Sequence, residues 1–390
     1  MKTTNRCWKS TRAFAGLLAL ALVASLAFAA QAAYAQDAGI TAASADQSSD
    51  QSLQTAQVAQ VKLNKKTVKI KNNGTAKLTA TLVPDVEGAK IKDTTITWSI
   101  SKPKIARISQ DGVVQGKKSG TAIVTATASN GKSATAKVKV TVKKSKMASR
   151  IPVLTYHRVC SNLAKSRVYG GTNLAISASK FKAQMRWLSE HGYYTVSTTE
   201  FKEWRTEGAF LPKKSVLITF DDGFYEIYHV AMPILKQYNQ KGTLCCIGSK
   251  IGKKTKKYNP LNRGDRFVGW DVINKVRKQY PNLEFQSHTY NMHHRNGSGN
   301  GVATSWSRSK IVKDFAKNKK FGFTSIAYPF GHAGSTMRSV TRANKQIGIA
   351  FGYMMDWPAT RTSPRWNIPR FKVFGDRGLG DFKSIVRTAG

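Results

Sequence analysis

The chain is poor in acidic residues. Its 390 residues include 63 lysines and arginines but only 21 aspartates and glutamates, which gives a formal net charge of +42 at pH 7. A surplus of this size attracts polyanions such as nucleic acid, anionic lipid headgroups or anionic wall polymers. The basic residues are scattered and are not interleaved with aromatic residues as in an RNA-binding motif. We therefore expect anionic cell-wall polymers as partners and no nucleic acid, with a general basic bias that aids solubility as the alternative.

Cysteine is also scarce, with four residues in the whole chain. Cys7 lies in a segment that we expect to be removed, which leaves Cys160 and the adjacent pair Cys245 and Cys246. An odd number that includes two neighbours does not form a disulfide framework, even in an oxidising compartment. We expect these three thiols to be inert members of the core.

No acidic residue occurs in the first 35 positions, which have the order of a secretory signal. Basic residues from Lys2 to Arg12 precede an uncharged apolar run over 13–30, and small residues follow it. Cleavage after Ala35 satisfies the Ala-x-Ala rule, and Ala32 offers a second site. The alternative is an uncleaved membrane anchor, because the run approaches the length of a membrane span. We predict a signal peptide over 1–35, a secreted or cell-wall-associated protein, and no membrane span after cleavage.

The composition and residue pattern of the rest of the chain change three times. Residues 36–56 have a flexible-linker composition, and 57–142 consist of short alternating strands separated by turn signals such as Asn130-Gly131. This pattern predicts an all-β sandwich. A second polar linker covers 143–150, and from residue 151 to 390 apolar strands alternate with amphipathic helices. Repeated β-then-α units predict a parallel sheet, and their number favours a distorted (β/α) barrel.

The first of these regions resembles a known family of surface domains. Thr97-Trp98-Ser99, Asp111-Gly112-Val113-Val114, Gly120-Thr121-Ala122 and the run from Val138 to Val142 follow the order found in bacterial Ig-like domains of group 2. The resemblance implies an Ig-like sandwich that serves as a spacer or, alternatively, binds a glycan or surface.

Candidate chemistry lies where predicted barrel strands end. Asp221-Asp222-Gly223 directly follows the predicted strand 215–220, and a barrel active site forms at the carboxyl ends of its strands. His288, His293 and His294 follow another predicted strand, in a chain with only seven histidines. One aspartate with two histidines suits Zn²⁺ or a related divalent ion and leaves positions open for water and substrate. From the residues alone, either His293 or His294 can be the second imidazole ligand.

Together these motifs resemble the polysaccharide deacetylases of carbohydrate esterase family 4. Ser215-Val-Leu-Ile-Thr-Phe-Asp-Asp-Gly and Ser287-His-Thr-Tyr-Asn-Met-His carry the resemblance. It implies Asp221 as the catalytic base and Asp222, His288 and His293 as the ligands of a divalent metal, most simply Zn²⁺, with Co²⁺ or Ni²⁺ as alternatives. The spacing of four residues between His288 and His293 resembles the spacing in the branch of biofilm poly-N-acetylglucosamine de-N-acetylases. In that branch a Tyr-His motif supplies the acid, which implies His157 here, with a structural core histidine as the alternative.

The resemblance extends to a third motif, Ala327-Tyr328-Pro329-Phe330-Gly331, which implies substrate or oxyanion contacts for Tyr328, Pro329 and Phe330. It further implies that Arg370 orients Asp221. The expected activity is hydrolysis of N-acetyl groups on an N-acetylglucosamine-containing glycan, either an exopolysaccharide or peptidoglycan. An O-acetyl esterase acting on a polymer such as xylan, and an inactive glycan-binding protein, are the alternatives.

Overall fold

The structure of the chain is a computed structural model, and it describes residues 55–161, 163, 174–256, 266–353 and 355–390. The predicted signal peptide over 1–35, and nearly all of the predicted linker over 36–56, lie outside the described residues. Within the described part of the chain, no helix has the length and apolar character needed to cross a membrane.

The first described region is a β-sandwich. A four-stranded sheet contains its longest strands, Gly120–Ala128 and Ser133–Thr141, which pair antiparallel. Side chains alternate along Ser133–Thr141, where Val138 is buried and the neighbouring Lys137 is exposed, as expected of a sheet with one face on a core. Trp98 and Val124 belong to that core. The strands are Thr55–Ala56, Val58–Leu63, Thr67–Lys71, Thr75–Lys77, Ala80–Pro84, Lys90–Ile91, Ile96–Ile100, Ala106–Ile108, Val113–Gly116, Gly120–Ala128 and Ser133–Thr141. The predicted all-β sandwich is confirmed.

The second region is built on an eight-stranded parallel sheet, whose strands we label β1 to β8. They are β1 (Val153–Tyr156), β2 (Tyr194–Val196), β3 (Ser215–Phe220), β4 (Gly242–Cys246), β5 (Leu283–Ser287), β6 (Ser325–Ala327), β7 (Ile349–Phe351) and β8 (Phe371–Lys372). The order across the sheet is β7-β6-β5-β4-β3-β1-β8, with β2 also paired to β3. Short strands outside this sheet are Arg150–Ile151, Arg158–Cys160, Ala175–Ser177 and Ala359–Thr360.

The two edges of this sheet meet through Ile368. Its N–H donates to Ala350 O at 2.8 Å, and its carbonyl accepts from Gly352 N at 2.9 Å, which attaches the segment before β8 to β7. Three residues later Phe371 pairs with Leu154 of β1. The strands therefore curl into a distorted barrel, as the alternating pattern predicts.

Seven α-helices accompany the barrel strands. They are α1 (Ala178–Glu190), α2 (Thr198–Glu207), α3 (Met232–Gln237), α4 (Trp270–Gln279), α5 (Arg308–Asn318), α6 (Ser335–Ala343) and α7 (Leu379–Val386), all within the described residues. Most match the apolar periodicity of the sequence, which also predicts a helix over 226–238. Helical residues do run without a break over 225–237, but part of them, Ile227–Ala231, forms a π-helical turn before α3. Pro233, near the start of α3, has no N–H to continue an α-helical ladder. The pattern missed α2, α7, β2 and β8.

Helix α2 joins the barrel to the sandwich, and both belong to one compact unit. Lys117 Nζ of the sandwich lies 2.7 Å from Glu203 Oε1, and Arg107 Nη2 donates to Glu200 Oε1 at 2.9 Å. Glu200 also accepts from Lys241 Nζ at 2.7 Å. Because Glu200 and Lys241 lie close to where β4 begins, the sandwich contacts the barrel on the side of its strand N-termini.

Candidate metal and catalytic site

The residues of the candidate site follow four different barrel strands. His157 comes directly after β1, Asp221 and Asp222 after β3, His288 after β5 and Tyr328 after β6. The carboxyl ends of parallel strands lie along the same rim of a barrel, which is where barrel enzymes place their chemistry. The site is thus at the opposite end of the strands from the contact with the sandwich.

Asp222, His288 and His293 form a compact set of potential metal ligands. Asp222 Oδ1 lies 3.1 Å from His293 Nε2 and 3.4 Å from His288 Nε2. Ligand atoms that share one zinc ion, with bonds of about 2.0–2.2 Å, lie roughly 3.4 Å apart in a tetrahedral arrangement. Asp222 Oδ1 is buried and has no hydrogen-bond partner among the described residues. An orphaned carboxylate oxygen beside two imidazoles fits a divalent ion with one open side.

The hydrogen bond of His288 orients its ring toward that set. Its Nδ1 lies 2.9 Å from the carbonyl oxygen of Ala327, so Nδ1 carries the proton and donates it. Nε2 is then left with a lone pair on the side of Asp222. The ligand tautomer of this buried imidazole is therefore set by the backbone of β6.

The charges of the set depend on one another. Burial alone would raise the pKa of Asp222, but the adjacent rings of His288 and His293 outweigh it and hold that pKa well below its usual range. For His293, burial lowers the pKa, yet the Asp222 carboxylate dominates and the net shift is upward. Asp222 is consequently an anion at neutral pH and is available to a cation.

Left-handed backbone occurs at three non-glycine residues of this site. The φ angles are 75° at Asp222, 66° at Thr289 and 58° at Phe330. Such conformations cost about 1–3 kcal/mol each and persist only where the surroundings enforce them. At Asp222 the left-handed turn separates the direction of its carboxylate from that of Asp221, so that the two acids make different contacts.

Asp221 is held by Arg370, which is fully buried. Arg370 Nη1 and Nη2 donate to the two oxygens of Asp221 at 2.9 and 2.8 Å, and Nε donates to Gly352 O at 2.6 Å. Burial would raise the pKa of Asp221, but Arg370 and His288 lower it below its ordinary value. The bidentate contact fixes the carboxylate in orientation and keeps it ionised.

His157 lies within electrostatic range of both aspartates. Burial lowers the pKa of its ring, and the Asp222 and Asp221 carboxylates partly oppose that shift. The ring meets the edge of Tyr353, with centroids 5.7 Å apart. The structure therefore brings His157 into the same site as the two acids, 64 residues earlier in the chain.

The third motif divides between the site and the core. The Phe330 ring lies 4.5 Å from the His293 ring, measured between centroids, and the Arg295 guanidinium lies 4.3 Å from the Phe330 centroid. Tyr328 instead packs its side chain in an apolar cluster with Met337, where burial raises the pKa of its hydroxyl to about 12. Any substrate contact from Tyr328 has to come from its backbone. Pro329, which lies between these two residues in the sequence, is buried.

The structure also separates His293 from His294. His294 is outside the ligand set and packs its ring against Trp306, with centroids 5.8 Å apart. Sequence reasoning missed Tyr353, whose ring belongs to the site because it contacts His157. Burial and the Asp221 carboxylate raise the pKa of its hydroxyl. The position of Tyr353, two residues after the end of β7, could have identified it, because the site lies at the carboxyl ends of the strands.

The remaining thiols take no part in this chemistry. Cys160, Cys245 and Cys246 are buried, and none of them forms a disulfide bond within the described residues. Burial raises the pKa of both Cys245 and Cys246, which keeps them protonated. Cys245 and Cys246 are members of the core, as predicted, and their lack of reactivity stays a prediction.

Comparison with known families agrees with both regions. Residues 209–350 match the family described as polysaccharide deacetylase. The chain carries a polysaccharide deacetylase domain. Residues 57–140 match the bacterial Ig-like domain of group 2. The predicted family, its enzyme class and the Ig-like region are thereby confirmed, whereas the exact domain boundaries stay predictions.

Individual relatives of the deacetylase domain are more distant. The chain is 29% identical over 242 residues to a poly-β-1,6-N-acetyl-D-glucosamine N-deacetylase of Staphylococcus aureus, which covers 57% of this chain and 78% of that protein. It is 36% identical over 111 residues to the putative polysaccharide deacetylase YxkH of Bacillus subtilis, or 28% of this chain and 37% of that one.

Solved structures share the fold of the deacetylase domain. A de-N-acetylase from Aggregatibacter actinomycetemcomitans superposes with a TM-score of 0.51 at 22% identity, over 60% of this chain and 99% of that one. IcaB from Ammonifex degensii gives a TM-score of 0.50 at 22% identity, over 62% and 98%. At these identities the likeness establishes the fold, and the chemistry has to be argued from the side chains.

Proposed function

We propose that the protein is a secreted, metal-dependent N-deacetylase of an N-acetylglucosamine polymer. One observation carries the proposal: an orphaned carboxylate oxygen of Asp222 faces two imidazoles, beside a second carboxylate, Asp221, that Arg370 holds ionised. This is the set of groups that metal-assisted hydrolysis requires.

In this proposal Asp222, His288 and His293 hold the ion. A bound divalent ion would polarise the acetyl carbonyl and lower the pKa of the attacking water. The identity of the metal is left to experiment, with Zn²⁺ first because nitrogen and carboxylate ligands suit it. Phe330, whose ring lies against His293, forms one wall beside the ligands.

Asp221 is the proposed general base. Its lowered pKa keeps it ionised at neutral pH, and Arg370 fixes the carboxylate so that it accepts a proton in one direction. It removes the proton of the water molecule as the oxygen attacks the acetyl carbon. The cost of the lowered pKa is a weaker base, which the acidity of the water has to offset.

His157 is the proposed general acid. It delivers a proton to the glucosamine nitrogen as the carbon–nitrogen bond breaks, so that the amine leaves in neutral form. Burial lowers the pKa of His157, while the Asp222 and Asp221 carboxylates favour the imidazolium, which is the form that donates a proton. Tyr353 at the ring edge restricts its orientation.

The substrate class rests on relatives and on composition. The Staphylococcus aureus relative is named for poly-β-1,6-N-acetyl-D-glucosamine, and we propose the same type of polymer here. Secretion and retention on anionic wall polymers rest on the signal-like residues 1–35 and on the net charge of +42. Filled base and ligand positions argue against an inactive glycan-binding protein.

Acetate release from a panel of polymers tests this function. Purified protein, supplied with zinc, is incubated with poly-β-1,6-N-acetylglucosamine, chitin oligomers, peptidoglycan and acetylated xylan, and with each polymer plus a chelator. We expect release from one or more of the N-acetylglucosamine polymers that the chelator abolishes. Release from xylan alone would instead support the O-acetyl esterase, and no release from any polymer would contradict the proposal.

A further inference from the structure

The segment between the two histidines of the ligand set is anchored by one acid of α5. Asp314 is 5% exposed, and its two oxygens accept separate backbone hydrogen bonds. Tyr290 N donates to Oδ1 at 2.8 Å and Asn291 N donates to Oδ2 at 2.7 Å. Both donors lie between His288 and His293, so one carboxylate fixes the middle of the loop that connects these rings.

A second residue of the same helix holds the start of that loop. Asn318 lies one turn after Asp314 and therefore on the same face of α5. Its Nδ2 donates to Ser287 Oγ at 2.9 Å, and the same Oγ accepts from Thr289 N at 3.0 Å. The backbone on both sides of His288 is thus tied to α5.

The loop needs such anchoring because its backbone is strained. Thr289 has a φ of 66°, a conformation unfavourable for a β-branched residue. Its side chain accepts from Met292 N at 3.2 Å, and its carbonyl accepts from Gly248 N at 2.9 Å. A Cβ at Gly248 would lie 2.1 Å from Asn318 Oδ1, so only glycine permits this approach.

A carboxylate is required at position 314 for a chemical reason. Two neighbouring N–H groups point at the side chain, and only an acid offers an acceptor oxygen to each. A side-chain amide would accept one bond and direct its own NH₂ group at the other N–H. Burial raises the pKa of Asp314, a cost that Tyr290 N and Asn291 N oppose as donors. Because a buried acid is unfavourable, its presence here indicates that the two hydrogen bonds to the loop backbone are important.

We propose that Asp314 is a positioning residue that sets the distance between the His288 and His293 imidazoles and thereby the affinity of the site for a divalent ion. The inference rests on the proposed function, because it takes these two histidines as metal ligands. Asp314 is outside the ligand set, and in this proposal it acts through the loop backbone alone.

Chelator competition on the full chain tests the inference. Zinc affinity is measured at pH 7 for the wild type, for Asp314→Asn and for the control Asp271→Asn. Asp271 suits this purpose because it also accepts from a loop, at Thr255 N, but lies outside the site. Loss of an outer partner of a metal ligand commonly weakens binding about 10- to 100-fold. We expect such a loss in Asp314→Asn, wild-type affinity in Asp271→Asn, and a changed visible spectrum of the Co²⁺ form in Asp314→Asn only.

The outcomes separate this inference from the proposed function. Wild-type protein that binds neither Zn²⁺ nor Co²⁺ contradicts the proposed function itself. A wild type that binds zinc, together with an Asp314→Asn variant of equal affinity and spectrum, overturns only the role of Asp314. If Asp314→Asn does not fold by circular dichroism, Asn318→Ala is measured in the same way. Weaker zinc binding by that variant supports the anchoring by α5, and unchanged affinity overturns it.

Discussion

The sandwich and the barrel differ in what they bury. Among the described residues of the sandwich, Lys117 is the one buried charged side chain, and it lies at the contact with the barrel. Among the described residues, the barrel region buries seven acidic, basic or histidine side chains: Glu200, Asp221, Asp222, Glu226, His288, Asp314 and Arg370. Burying charge is costly unless each group is partnered. Most of these buried charges lie around one rim of the barrel, which indicates a functional site there.

Backbone strain follows the same division. In the sandwich the described non-glycine residue with positive φ is Asn72, a residue type that tolerates this conformation. Five described residues of the barrel adopt it: Asp222, Asn239, Thr289, Phe330 and Asp356. Three of them, Asp222, Thr289 and Phe330, belong to the ligand set or adjoin it. The two regions fold by the same hydrophobic alternation, yet only one combines strain with buried charge. That combination distinguishes a scaffold from a site.

The largest expected effect is on the base. Asp221→Asn should lower kcat by about 10³-fold, within the usual range for a lost general base, and leave zinc binding intact. The measurement is acetate release together with metal content. Asp85→Asn in the sandwich is the matched control and should keep full activity. Near-normal turnover in Asp221→Asn would remove Asp221 from the mechanism.

The contact between the regions gives the next effect. Lys117→Glu places two acids together beside Glu203 and should destabilise the protein by about 3 kcal/mol, as expected for a broken, largely buried ion pair. Lys117→Glu combined with Glu203→Lys should recover part of that loss in chemical unfolding. The wild type could instead unfold in two independent transitions, neither of which is shifted by Lys117→Glu. That result would mean that the sandwich and the barrel do not stabilise one another.

His157→Ala should reduce kcat by about 10²-fold without loss of the metal, because it removes the proposed acid and no ligand. His191→Ala changes an exposed imidazole that stacks on Trp187 away from the site, and serves as the control. Equal activity of the two variants would leave His157 with a structural role only.

The smallest expected effect is a shift with pH. Asp221 acts as a base only when ionised, so kcat/KM falls as the pH drops through its pKa. In the Arg370→Met variant the effect of burial is less opposed, so the pKa of Asp221 rises and the acidic limb of kcat/KM should move to higher pH. The exposed Arg186→Met is the control. An unmoved limb in a folded Arg370→Met variant would show that Arg370 does not set this pKa.

Sequence patterns predicted the parts of the molecule that local chemistry determines. Alternation located the sandwich and most barrel elements, and the end of β3 located Asp221 and Asp222. The ion pair of Lys117 with Glu203 and the anchoring by Asp314 were not predictable, because each joins residues that only the tertiary fold brings together. Tyr328 shows that a motif can also suggest a role that packing does not permit. Its motif suggested a side-chain contact with substrate, but the ring packs within an apolar cluster.

Metal content measured alongside activity tests the central assignment most directly. Wild type, His288→Ala and the control His294→Ala are purified, stripped with chelator, and titrated with zinc while acetate release from poly-β-1,6-N-acetylglucosamine is followed. We predict activity that rises to a plateau at one zinc per chain in the wild type and in His294→Ala, and neither binding nor activity in His288→Ala. Full acetate release by the stripped wild type, or by His288→Ala without bound ion, would contradict a catalytic metal at Asp222, His288 and His293.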